Sequence, residues 1–187
     1  MSVSTSKTEI PGYTAGTWTI DPVHSEVGFT VRHMMVSKVR GKFNTFGGDI
    51  VTAENPLDSS VTAEIDLGSI DTGNPDRDNH IRSADFFNVD AHKVMTYRST
   101  GIRVDGSDYV LDGELTLKGV TKPVSLRLEL GGFGQDPYGG TRTGFTAIGE
   151  IKRSDFGVDF NAVLETGGVV VGDKVNLLLE IEAVLNA

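Results

Sequence analysis

Four histidines, His24, His33, His80 and His92, are the chemically most versatile side chains of this 187-residue chain. Imidazole titrates near neutral pH and, when neutral, ligates metals. No two of the four stand at the i, i+2 or i, i+4 spacing that aims two rings at one ion, so polar structural roles are expected and no metal. Asp71, Asp76, Asp78 and His80 offer oxygen and nitrogen ligands in a short stretch. The glycine that turns an EF-hand loop is missing, and helix capping and dipole pairing account for these acids. Gly167 to Lys174 (GGVVVGDK) resembles a phosphate loop, but Asp173 stands where the motif needs its lysine. No G-x-S-x-G, H-E-x-x-H or G-x-G-x-x-G occurs, and without cysteine there is no thiolate nucleophile. The motifs therefore support neither catalysis nor a cofactor. An enzyme acting on a lipophilic substrate would have to use His33 or His80 as its acid or base.

Charge is concentrated at Arg77, Asp78, His80 and Arg82. If this segment borders an open cavity, Arg77, His80 and Arg82, with His33, can hold the anionic head of a ligand. If it borders a closed one, they form a solvated face with internal ion pairs.

The elements that must position these groups are mostly strands. From Glu26 the period is two, with Val27, Phe29, Val31 and His33 on one face. Val39, Gly41 and Phe43 continue the pattern in a strand expected to bend at Gly47-Gly48 and run to Ala53. Val61, Ala63, Ile65 and Leu67 form a third apolar face. Asn74-Pro75-Asp76 is a helix start, since Asn caps, Pro suits the first helical position and an acid favours the first turn; the helix is placed over residues 75–82. A turn capped by Ser83 brings Phe86 and Phe87 inward as a plug on one end. Strands resume over 94–104 and 109–117, joined at Asp105-Gly106. After a turn over 119–123, Leu126 and Leu128 lie in phase. Residues 131–144 read as a glycine-rich loop. Phe145 to Ile151 and Val175 to Ala183, the latter carrying Leu177 and Leu179, complete about eight long strands. An even array of that number closes without free edges, so the fold expected is an all-β, eight-stranded antiparallel barrel with one or two short helices capping one end.

Residues 1–16 read as a mobile lead-in and residues 17–187 as one domain. The net charge of −9 repels nucleic acid and anionic membranes. Residues 1–13 contain no apolar signal core and no stretch is long enough for a spanning helix, so stable membrane insertion is not expected and the chain reads as cytoplasmic unless a leader has been removed. A homodimer is compatible with the sequence.

Alternation marks an inward stripe of Val27, Phe29, Val31, Phe43, Ile65, Leu67, Leu115, Leu117, Leu126, Leu128, Leu177 and Leu179. Spacing does not distinguish a packed core from a hollow barrel, and on periodicity alone a packed core is the simpler reading.

Several blocks resemble the YceI-like family of polyisoprenoid-binding proteins. They are Trp18 to Ser25 (WTIDPVHS), Phe29 to His33 (FTVRH), Gly41-Lys42-Phe43, Asp71 to Asn74 with Arg77 to Arg82 (RDNHIR), Gly113 to Val124 (GELTLKGVTKPV) and Arg153 to Gly157 (RSDFG). The resemblance implies a lipocalin-like barrel whose pore holds a long isoprenoid chain, of polyprenyl phosphate or isoprenoid quinone type, with no catalytic residues to carry over. It turns the apolar stripe into a candidate pore lining. Relatives often carry a signal peptide, and Tyr-Pro where this chain has His92-Lys93. The alternatives are a filled-barrel interaction module and, further off, the enzyme with His33 or His80.

Overall fold

The computed structural model describes residues 10–34, 36–161 and 171–186. Eleven strand segments run in chain order: β1 Gly16–Ile20, β2 Glu26–His33, β3 Ser37–Phe43, β4 Phe46–Thr52, β5 Ser60–Asp66, β6 Ile70–Asp71, β7 Val94–Asp105, β8 Asp108–Leu117, β9 Val120–Gln135, β10 Thr141–Lys152 and β11 Val171–Leu185. All pairings are antiparallel. β1 pairs with both β4 and β11, which closes the sheet.

The segments make eight staves, because the first three staves are each broken once. β1 and β2 lie end to end along β11, through Ile20↔Ala183 and Glu26↔Glu180. The break between them is a single 3-10 turn, Pro22–His24, capped by Asp21 and tied to β11 through the Asp21 N–H on the Glu182 carbonyl at 2.8 Å. β3 and β4 form the second stave, β5 and β6 the third. The second stave breaks at Asn44–Thr45, where both backbone N–H groups turn to Ser69, rather than at Gly47-Gly48. Those glycines stay in the ladder opposite Glu64 and Ala63. Leu67 likewise leaves the strand and starts a 3-10 turn, Leu67–Ser69.

The helix, α1, spans Pro75–Arg82, with the Asn74 side chain accepting from the Arg77 N–H at 3.1 Å. Two expected loops are strand instead. The β8–β9 turn is only Lys118-Gly119, and Pro123 sits in β9 opposite Glu114. In a two-residue hairpin this is a non-hydrogen-bonded position, so the missing N–H leaves the ladder to β8 intact. The stretch 131–144 is mostly β9 and β10, with a bulge at Gly131 and a short connection over 136–140. Low side-chain content hid the pairing there, since backbone hydrogen bonds carry it.

One end of the barrel, where Gly16, Thr52 and Leu185 lie, is filled. Trp18, Ile20, Ile50, Ile181 and Ala183 are buried together, with Trp18 fully enclosed and its indole N–H donated to Thr52 Oγ1 at 2.8 Å. Phe133 packs edge-on against Trp18 and Tyr13, and the Tyr13 hydroxyl donates to the Ala53 carbonyl. The opposite end carries α1, the segment 83–93 and the 3-10 turn Arg153–Phe156. Among the described residues no helix is long and apolar enough to cross a membrane.

Candidate functional site

Alternation fixes what faces inward. Val27, Phe29 and Val31 of β2 stand opposite Phe43, Gly41 and Val39 of β3, and opposite Leu179, Leu177 and Val175 of β11. Around the ring these inward side chains do not meet. They enclose a cavity of about 210 Å³ extending from Ile20 and Ile181, above the filled end, to Ile81, Phe86, Phe87 and Val171 at the other. Its wall follows β11 from Val175 to Ile181, about 20 Å along the strand at roughly 3.3 Å per residue. The cavity is therefore long rather than round. Two glycines shape its wall by close approach. A Cβ on Gly41 would enter the Phe29 ring and one on Gly113 the Tyr97 ring, so both aromatics lie flat against the sheet instead of across the lumen.

Of the stripe expected from alternation, Val27, Phe29, Val31, Phe43, Ile65, Leu115, Leu117, Leu126, Leu177 and Leu179 are on the cavity wall. Leu67 is fully buried beneath the capped end, off the wall, and Leu128 packs half-buried against the same core. Phe86 and Phe87 cap the cavity as expected. Phe86 forms an edge-on cluster with His80 and Phe160, all centroids within 5.3 Å, and Phe87 packs on Phe43.

The expected head-group residues lie off the wall. Arg77 donates to Thr72 Oγ1 and the Thr72 carbonyl, both at 2.8 Å. Arg82 donates to the carbonyls of Gly68 and Ile70 and to Asn79 Oδ1, at 2.9, 3.1 and 2.9 Å. These guanidiniums fasten α1 to the turns before it. His80 bonds Asp85 Oδ2 at 2.8 Å, and His33 sits half-buried at the tip of β2, between Ser37 and Val171. Asp78, buried, accepts from the Thr72 N–H at 3.0 Å and from its hydroxyl, the local role expected of these acids.

Only two wall side chains among the described residues carry N–H or O–H groups, Tyr97 and Arg153. Tyr97 donates its hydroxyl to the Val124 carbonyl at 2.9 Å, and burial pushes its phenol pKa up. Arg153 is 7% exposed. Its Nε donates to Gly172 O at 2.8 Å, Nη1 to Val158 O and Phe160 O at 2.8 and 2.9 Å, and Nη2 to Val171 O at 3.1 Å. Desolvation lowers its pKa, opposed at longer range by Asp173 and Asp159. The sequence reading has Arg153 only as the first residue of the RSDFG block and not as a site residue, although it continues the inward parity of Phe145, Ala147, Gly149 and Ile151.

A second charged cluster lies outside the filled end. Asp21, His24 and Glu182 bring potential metal-ligating atoms within 4.8 Å of one another. A cation already sits among them: Arg142 donates to Asp21 Oδ2, Asp136 Oδ2 and Glu182 Oε2 at 2.8, 2.9 and 2.9 Å. Arg142, then His24, holds the Asp21 carboxyl far below its ordinary pKa, and Arg142 also lowers that of Asp136. As for GGVVVGDK, residues 167–170 are outside those described, while Val171 to Lys174 open β11.

Comparison with known proteins identifies this architecture. The model of the YceI-like domain matches residues 18–183. The chain belongs to the YceI-like family. Protein YceI of Escherichia coli is 40% identical over 162 residues, covering 86% of this chain and 82% of that protein. The crystal structure of the Campylobacter jejuni YCEI protein superposes with a TM-score of 0.71 at 30% identity, over 95% of this chain and all of that one (100%). A polyisoprenoid-binding domain from Saccharophagus degradans, implicated in plant cell wall breakdown, shares the fold with a TM-score of 0.69 at 18% identity, over 92% of this chain and 100% of that one. The YceI-like match spans every stave of the barrel, so the cavity described above is a feature of a YceI-like domain.

Proposed function

We propose that this YceI-like protein binds a long-chain isoprenoid lipid, of polyprenyl phosphate or isoprenoid quinone type, in the barrel cavity, as a carrier or sensor. The observation that carries this reading is the long, almost wholly apolar cavity. Each buried methylene contributes about 0.8 kcal/mol, so a long tail outweighs a single neutral hydrogen bond of about 1 kcal/mol at the head. The polyisoprenoid-binding domain of the same fold supports the choice of ligand class.

A packed interaction module would fill its interior, and about 210 Å³ of cavity argues against it. The enzyme reading needs a histidine on the wall, and neither His33 nor His80 is there. Organic extraction of the purified protein followed by mass spectrometry, with uptake of added polyprenyl phosphate as the second arm, tests the proposal. Recovery of an isoprenoid, or stoichiometric uptake, is expected. Protein that yields no lipid and takes up none would end it.

A further inference from the structure

Arg142 and Arg153 are treated oppositely. Arg142 faces three carboxylates on the outside. Arg153, buried on the cavity wall, has no ion pair among the described residues, and its neighbours are carbonyl oxygens. A buried cation with no carboxylate in direct contact is costly, and uncharged carbonyl dipoles satisfy its donors without neutralising it, while Asp173 and Asp159 offset its charge only at longer range. Guanidinium has five N–H groups. Four are donated to Gly172, Val158, Phe160 and Val171, which leaves one on Nη2.

We propose that Arg153 is the polar anchor of the cavity: its remaining N–H takes a single acceptor oxygen at the head of an otherwise apolar ligand, and its charge, which no carboxylate contacts directly among the described residues, favours an anionic oxygen. This rests on the reading of the cavity as a lipid site and moves the head group from α1 to the wall. One free N–H does not make the bidentate fork that Arg offers when its donors are free, so it takes one oxygen of the head, whether of a phosphate, a carboxylate or a quinone carbonyl. Neutral carbonyls bind less strongly, and cationic heads are repelled.

The test uses tail-matched probes on the intact chain at pH 8: hexadecanoate, its methyl ester and hexadecane, each displacing an environment-sensitive fluorophore. The wild type should bind hexadecanoate roughly tenfold or more tighter than hexadecane, the scale of a hydrogen bond to a charged group, with the ester between them. Arg153→Gln should bring the three within about twofold to threefold of one another while hexadecane still binds, and Arg153→Lys should restore part of the preference. A purely structural role would lower stability without changing the ranking. Preference that survives in Arg153→Gln, or that is missing from the wild type while hexadecane binds, overturns the anchor and leaves the lipid reading standing. If the wild type binds none of the probes the anchor falls, and the lipid reading falls with it only if polyprenyl phosphate is not taken up either. Should Arg153→Gln not fold, side-chain 15N NMR of the wild type decides. The Arg153 Nε signal should move with hexadecanoate and not with hexadecane, and movement confined to Arg77 and Arg82 would refute the proposal.

Discussion

The two ends of this barrel are built from the same alternating strands and do opposite things with them. At the filled end Trp18, Ile50 and Ala183 close on one another, Phe133 and Tyr13 seal the outside, and the nearby carboxylates of Asp21, Asp136 and Glu182 are bridged by Arg142. At the capped end equally apolar residues stand apart around a cavity, and the buried guanidinium of Arg153 donates to carbonyls, with no carboxylate in direct contact among the described residues. Apolar content does not separate the ends. The Trp18 indole is fully enclosed and reaches Thr52 on the adjacent β4, whereas at the other end Phe29 and Tyr97 lie over Gly41 and Gly113 and leave the lumen open. The filled end is packed on its own side chains, and the other leaves space that a ligand can take.

The largest expected effect is Trp18→Ala, which opens a void in the filled end and should cost about 3–5 kcal/mol by denaturant unfolding, against about 2 kcal/mol for Leu177→Ala, whose side chain already faces open space. Equal losses would break the contrast. A matched pair sharpens it. Ala183→Leu overpacks the filled end at about 1–3 kcal/mol, whereas Ala147→Leu, also buried but on the cavity wall, should cost under about 1 kcal/mol and displace the lipid. Arg142→Met probes the outer network through pH. The carboxyls of Asp21 and Asp136 are lowered in the folded state, so their contribution is present above the ordinary carboxylate range and is lost as pH falls through and below about 4. The stability gap between wild type and Arg142→Met should be widest above about pH 5 and narrow on acidification; a gap that widens instead would contradict the assignment. The smallest effect has the opposite sign. The Tyr109 hydroxyl is buried without a partner among the described residues, so Tyr109→Phe should be neutral or stabilising by up to about 1 kcal/mol.

Much of this was legible in the alternation. β2, β5, β8 and β11 are plain because each has one apolar face, and α1 because Asn74, Pro75 and Asp76 mark its start. The breaks in the first three staves were not visible, because they depend on cross-strand partners such as Ser69 and Glu182 rather than on local propensity. The glycine-rich run before Gly144 concealed strand pairing for the same reason. At the site, parity identified most of the wall but not whether the wall met in the middle, which depends on ring orientation over Gly41 and Gly113. Charge clustering on α1 drew attention to Arg77 and Arg82, which hold turns, while Arg153, at the end of a strand beside Lys152, is the cation on the wall.

Methyl NMR of the protein titrated with a polyprenyl phosphate puts the hollow end to the most direct trial. Intermolecular NOEs should appear at the methyls of Val31, Leu115, Leu117, Leu177 and Leu179 and stay absent at Ile50 and Ala183 in the filled end. NOEs confined to the exposed exterior methyls of Ile148 and Leu178, or none at saturating ligand, would contradict a lipid held inside the barrel.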